Sequence, residues 1–274
     1  MLLNGFGLNY SHKKKMSEPI LNLSRISKSF GGVEVLNDVS FNVDKGARHA
    51  LIGPNGAGKT TLFNIISGIH EPDKGKVFFE GKDLNGIPSR KRIKRGLSRS
   101  FQNIRLMPHL SVLENVMLGQ HSRYAFFDMI KPLSLSSEST GQTEAIETLN
   151  SFGIDLHKGQ TVSSLPYGIR KKIEVVRALM AQPRLLLLDE PAAGLNTAET
   201  NSLRDFLLEV SDRGITFLLV DHDMPFVNSL CKKVSVMNFG QLIYDGAIKD
   251  LKKDKKVLEA YLGVDDEYSG ESHA

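Results

Sequence analysis

Eight consecutive residues, Gly53-Pro54-Asn55-Gly56-Ala57-Gly58-Lys59-Thr60, combine three glycines with a lysine and a hydroxyl in the spacing G-x-x-x-x-G-K-[ST]. Glycines let a backbone wrap closely round a phosphate chain so that several N–H groups point inward, and a helix starting at the end of the loop adds its positive dipole. Lys59 would neutralise the β and γ phosphates, and Thr60 would ligate Mg²⁺. A second group is Asp189-Glu190, two carboxylates that end the apolar run Leu185 to Leu188. Asp189 suits a metal, through water, and Glu190 suits a general base that polarises or positions an attacking water. Two acids after a strand serve solubility as readily as chemistry when they stand alone. Beside a phosphate loop the catalytic reading prevails.

These groups require elements to hold them, and the surrounding pattern supplies candidates. Arg48 to Ile52 is a short strand running into the glycine turn, and Thr60 to Ser67 begins a helix. Short β-branched or leucine runs alternate with longer helical stretches, which argues for an α/β fold with a largely parallel sheet. Leu185 to Leu188, Ile215 to Val220 and Lys233 to Met237 are further strands, and the acids fall at a strand's C-terminal end, where open α/β sheets bind ligands. Ile20 to Val43 is broken by Gly31-Gly32 and Asn37-Asp38 and reads as an antiparallel edge. From about Leu97 to Gln182 helices dominate, around Val112 to Gln120, Gln142 to Phe152 and Gly168 to Ala181, with a serine-rich connection from Ser134 to Thr140. This stretch is expected to form a helical subdomain inserted into the core, closed by Pro183, which cannot continue a helix. No internal repeat is visible, so one catalytic domain is expected.

Composition removes other classes. The chain has 274 residues and a net charge of +4, and its longest apolar runs are four residues, far short of the roughly 20 that span a bilayer. The Lys13-Lys14-Lys15 cluster follows the apolar start, the reverse of the order in a secretory leader. Cys231, the one cysteine, has no intrachain disulfide partner and reads as a buried, inert thiol. The densest basic cluster, Arg90-Lys91-Arg92 with Lys94-Arg95, reads as the solvated face of a short helix ended by Gly96. A charge of this size does not call for nucleic acid.

From Met16 to Gly263 the sequence resembles the ABC (ATP-binding cassette) ATPases. The resemblance implies an ABC-type P-loop NTPase core with an antiparallel β edge and an inserted α-helical subdomain. It implies that Gly53 to Thr60 and Thr61 bind ATP, and that Phe30, in Lys28-Ser29-Phe30-Gly31-Gly32, stacks on adenine. Gln102, in Phe101-Gln102-Asn103, matches the glutamine that contacts Mg²⁺ and links the core to the helical subdomain. His222, in Val220-Asp221-His222-Asp223, matches the switch histidine near the γ-phosphate. Leu165-Pro166-Tyr167-Gly168-Ile169 stands at the LSGGQ signature, with only Leu165 and Gly168 unchanged; Pro166 replaces a serine hydroxyl that would reach a γ-phosphate. Tyr167 and Gly168 are implied to face nucleotide, and Asn196 stands where aspartate is commoner.

The match narrows in Gly96 to Leu106, Val112 to Val116, Glu190 to Asn196 and Val257 to Gly263, which are similar to the branched-chain amino-acid transporter ATPase. Urea-import and lipopolysaccharide-export ATPases are close relatives of that group. The implied function is MgATP hydrolysis by a paired subunit on the cytoplasmic face of the membrane, beneath permease subunits docked from Ile104 to about Phe127 and, indirectly, a substrate-binding protein. Loss of the serine at position 166 favours pairing with a different ABC ATPase. Nucleic-acid ABC ATPases carry long coiled-coil arms or two cassettes, and only 65 residues separate Gln102 from Gly168, too few for such an arm. A stand-alone kinase would have no use for the signature and histidine. Residues 1–15 and 264–274 are expected to be disordered flanks.

Overall fold

The computed structural model describes residues 18–100, 106–122, 140–154 and 160–265; Gln102, the first 17 residues and the tail from position 266 lie outside them. Strands β1 (Leu21–Phe30) and β2 (Val33–Val43) form a hairpin about Gly31-Gly32. Strands β4 (Lys74–Phe79) and β5 (Lys82–Asp83) complete an antiparallel sheet in the order β2-β1-β4-β5. Asn37-Asp38 does not end a strand, as the sequence suggested. Asp38 takes a φ of 53° inside β2, where the pairing with β1 slips, so the pair bulges without turning.

The second sheet has the order β10-β9-β3-β8-β7-β6, built from β3 (Arg48–Ile52), β6 (Leu97–Arg99), β7 (Leu185–Asp189), β8 (Thr216–Val220), β9 (Lys233–Asn238) and β10 (Gln241–Ala247). All pairs are parallel except β9 with β10. Both faces are covered, and the period of two shows how. Leu185 and Leu187 point into the core shared with the antiparallel sheet and helix α1 (Lys59–Ser67), whose Leu62, Phe63, Ile65 and Ile66 fill it. Leu186 and Leu188 point the other way, onto helices α6 (Thr197–Asp212) and α7 (Met224–Leu230). A strand buried on both faces reads as an unbroken apolar run, which is why β7 and β8 were legible as runs.

Strand β6 (Leu97–Arg99) pairs with β7, and the chain between the two carries the helices expected from about Leu97 to Gln182. It contains α3 (Val112–Met117), α4 (Thr140–Ser151) and α5 (Tyr167–Leu179). The last helix, α8 (Lys255–Asp265), runs past the boundary expected at Gly263. Helix α2 (Ser89–Lys94) is the expected short helix, with Arg90, Lys91 and Lys94 exposed, and only Arg92 departs from the solvated face. Arg92 is 1% exposed and donates to the carbonyls of Ile65, Ile66, Leu84 and Ile87, so its guanidinium caps the C-terminal end of α1. Its five N–H donors make that burial tolerable. Cys231 is buried, and burial pushes its thiol up to about 12, as an inert cysteine requires.

A buried polar relay crosses β3, β9 and β10. Ser235 Oγ donates to Asp245 (2.9 Å), so at 2.8 Å it must accept from His49 Nε2–H, leaving Nδ1 a bare acceptor with no partner among the described residues. Burial, then the Lys233 ammonium, push the His49 imidazole down to about 3 from 6.5. The folded ring is therefore neutral where the unfolded one takes a proton below pH ~6.5. Its contribution to stability is complete above that pH and drains between about 6.5 and 3, at up to ~1.4 kcal/mol per pH unit. Denaturant titrations at pH 7.5 and 5 should show a stability loss that His49→Gln reduces; an unchanged pH slope would contradict the assignment.

Candidate active site

Beyond Ile52 the chain must turn at once, and the turn is held against other backbone. Gly53 has φ of 151°, and a Cβ there would lie 2.1 Å from the Met237 carbonyl oxygen of β9. Gly58 has φ of 96° and precedes α1, with Leu36 and the Val35 carbonyl under 3 Å from any added Cβ. Only glycine fits either position. The loop is also held from its far side by the Gly240 amide, which donates to Ala57 O at 3.2 Å. Pro54 is half-buried and accepts at its carbonyl from the Ala57 amide, while Asn55 and Gly56 are exposed at the loop's tip. Lys59 Nζ folds over this loop, 2.6 Å from Gly53 O and 2.9 Å from Pro54 O. Burial lowers the Lys59 pKa, against the raising influence of Glu190 and then Asp189. Thr60 is exposed and Thr61 half-buried in the first turn of α1.

The carboxylates arrive by register. Leu51 of β3 and Asp189 of β7 both pair with Val220 of the intervening β8, so three strands end at one level. The lysine, the acids and His222 therefore emerge on the same edge. Asp189 is nearly buried and ion-paired to Arg99 of β6 at 2.5 Å, and Arg99 also donates to Asn64 Oδ1 of α1 at 2.7 Å. Glu190 follows in the left-handed region at φ 46°, with its amide on Val220 O at 2.7 Å. A non-glycine residue held there stores strain of the kind that collects at functional sites. His222 is exposed. Its turn is set by buried Asp221, whose Oδ1 accepts from the His222 and Asp223 amides and whose Oδ2 accepts from the Ala192 amide at 3.3 Å. Burial raises the Asp221 pKa against these bonds. Sequence reasoning passed over Arg99 and Asp221; each is a charged residue in the strand register that carries the named residues, the one signal that would have found them.

The remaining candidates lie apart from this edge. Phe30, 41% exposed, ends β1 and meets His70 edge-on at 5.3 Å. Pro166 is the N-cap of α5 and brings no side-chain bond to it, Leu165 is half-buried beside it, and Tyr167 and Gly168 form its first turn. The Tyr167 ring lies under the Arg170 guanidinium at 5.4 Å, and the Gly168 amide is taken by Glu199 of α6 at 3.2 Å. Asn196 caps α6, accepting from the Glu199 amide, which gives that position a local reason to be an asparagine. Gln102 lies outside the described residues.

A glycine turn at a helix start, a lysine that folds over it and two carboxylates at the end of β7, one strand beyond β8, can hold a nucleoside triphosphate's phosphates, the arrangement of an α/β protein of the phosphate-loop NTPase class. The ABC transporter family model matches residues 36–193. The chain is 35% identical to the high-affinity branched-chain amino acid transport ATP-binding protein BraF of Pseudomonas aeruginosa, over 90% of this chain and 99% of that protein. It is 34% identical to the corresponding LivG of Escherichia coli, over 90% and 99%. The ADP conformation of MJ1267, an ATP-binding cassette of an ABC transporter, superposes with a TM-score of 0.80 at 32% identity, over 90% of this chain and 100% of that one. The chain belongs to the ABC transporter family, as an ATP-binding and ATP-hydrolysing subunit.

The loop geometry separates local from catalytic cost. Gly46→Ala, whose added methyl meets nothing within 4 Å, should lose only the ~1 kcal/mol or so of left-handed backbone cost and keep ATP binding. Gly53→Ala should bind ATP at least ~tenfold more weakly by calorimetry, since the loop must move off the Met237 carbonyl. Equal affinity for the two variants would show that the loop is not the phosphate site.

Proposed function

We propose that this chain hydrolyses MgATP as one of two paired cassettes and thereby powers uptake of branched-chain or other hydrophobic amino acids through a membrane permease. The observation that carries the reading is the common level of Leu51, Val220 and Asp189, from which Lys59, Glu190 and His222 all emerge. The amino-acid substrate is supported by the similarity to BraF and LivG. No helix among the described residues is long and apolar enough to cross a membrane, which agrees with a peripheral subunit on the cytoplasmic face. Permease subunits would dock on the segment from Ile104 to about Phe127, in which Met107 is 52% exposed, and a substrate-binding protein would act indirectly.

The residues take distinct roles. Phe30 would stack on adenine, Gly53 and Pro54 would turn the chain into the loop, and the backbone amides from Asn55 to Thr61 would wrap the phosphates. Lys59 Nζ, which now lies on two carbonyl oxygens of its own loop, would exchange them for phosphate oxygens, stronger acceptors because they are charged. Thr60 and Asp189, with Gln102, offer the hard oxygen ligands that suit Mg²⁺. Asp189, held by Arg99 through Oδ2, would hold the metal through water. When bound, the metal would neutralise charge growing on the transferred phosphoryl group. Glu190 would orient the attacking water and take its proton, and His222 would hold the γ-phosphate end.

Leu165, Tyr167 and Gly168 would close over nucleotide on the other cassette. Pro166 caps α5 without a hydroxyl, so this signature offers one donor fewer, and a lost bond to a charged phosphate is worth roughly 1.5–3 kcal/mol. Two such signatures would weaken both sites of a homodimer. A different cassette as partner leaves this chain's complete phosphate loop facing an unaltered signature.

Glu190→Gln tests the function and the pairing together. Turnover should fall at least ~100-fold while MgATP binding persists, and the ATP-trapped pair purified from membranes should contain one copy of this chain and one different cassette. Hydrolysis within a few-fold of wild type would remove Glu190 from the chemistry, and a trapped pair of two identical chains would refute the heterodimer.

A further inference from the structure

One carboxylate joins two helix starts across a sequence distance of 31 positions, from Glu199 to Gly168. Glu199, in the first turn of α6, accepts from the Gly168 amide through Oε1 (3.2 Å) and from the Asn196 amide through Oε2 (3.1 Å). Gly168 belongs to the first turn of α5, whose N-cap proline supplies no side-chain acceptor. Asn196 is the N-cap of α6 itself, in a reciprocal capping box with Glu199. The carboxylate therefore sits between two helix N-termini, both of which favour a negative charge.

Three independent contacts make this a clamp. A Cβ on Gly168 would lie 3.1 Å from Glu199 Cγ and Oε1, so the absence of a side chain there is what admits the carboxylate. Beside it, Gly194 packs against Tyr167, an added Cβ lying 3.3 Å from the ring. One turn along, Lys172 Nζ donates to Ser202 Oγ at 2.7 Å. The segment at positions 165–168 and the segment at 193–196 are thus held together at their starts. The second segment follows directly from Glu190 through Pro191 and Ala192, and the Ala192 amide is fixed by Asp221 beside His222.

We propose that Glu199 is a positioning residue that makes the signature segment and the loop after Glu190 move as one unit, so that docking of the signature on the partner cassette is felt at Glu190. This rests on the paired-cassette reading above. Glutamine keeps the shape of Glu199 but has one acceptor oxygen for two N–H donors. Aspartate keeps the charge and is one methylene too short to span both.

The test uses the full chain, by amide exchange, and the same variants in the assembled transporter, by ATPase kinetics. In Glu199→Gln, one of the two amides at 168 and 196 should lose its acceptor and exchange at least ~tenfold faster, while peptides of the phosphate loop and MgATP affinity stay as in wild type. The assembled transporter should lose ~tenfold or more in kcat with KM for ATP within about twofold. Glu199→Asp should loosen Gly168 alone and still lower kcat, which answers the question if the glutamine variant folds poorly. Unchanged protection at Gly168 in both variants would overturn the bridge, and faster exchange with unchanged kcat would overturn the coupling. The exchange measurement needs no partner, so it stands even if Glu190 proves not to be the base.

Discussion

Everything in the site depends on the parallel register of three strands. In a parallel ladder the hydrogen bonds are evenly spaced, and β8 fixes the level of both β3 and β7 because it pairs with each. A one-residue slip of β7 would turn Asp189 to the opposite face of the sheet and bury a leucine at the metal position. The cost of such a slip is large here, since Leu185 to Leu188 are each fully buried and divide between two different cores. The chemistry is thus protected by packing some distance from it. Removing a strand leucine would misplace the carboxylates as well as create a cavity.

Charge is handled by the same framework. Lys59 is part-buried among backbone carbonyls, Asp189 is matched by Arg99, and Asp221 is matched by three backbone amides. Each buried charge thus has a partner supplied by another element, as a low-dielectric site demands. The partners also link the parts. Arg99 connects β6, β7 and α1, and Asp221 connects the histidine turn to the loop after Glu190.

How much of this was legible in the sequence follows from how local each signal is. The phosphate loop, its strand and its helix could be read directly, because turn chemistry and helix start lie within one short window. Strands β7 and β8 were legible as apolar runs, and β9 nearly to its ends. Strands β4, β5 and β10 were missed: β5 and β10 are a two-residue and a half-exposed edge strand, and β4, inside its sheet, opens Lys-Gly-Lys, so pairing with distant partners decides all three. Helices α6 and α7 were missed although Asn196 and Asp223 are good caps; α7 has only seven residues, with Pro225 in its first turn, too few for a periodic apolar face to stand out. Arg92 was misread because a basic run on a short helix resembles a solvated face; its burial follows from where the C-terminal end of α1 falls. Asn37-Asp38 was misread because a turn dipeptide and a bulge share the same left-handed residue.

The most direct test of the account is a crystal structure of the chain with MgADP, read at Lys59. Nζ should leave the carbonyls of Gly53 and Pro54, which lie 2.6 and 2.9 Å from it, and come to about hydrogen-bond distance from a β-phosphate oxygen. Nucleotide phosphates bound elsewhere, with Nζ still on its own loop, would contradict it.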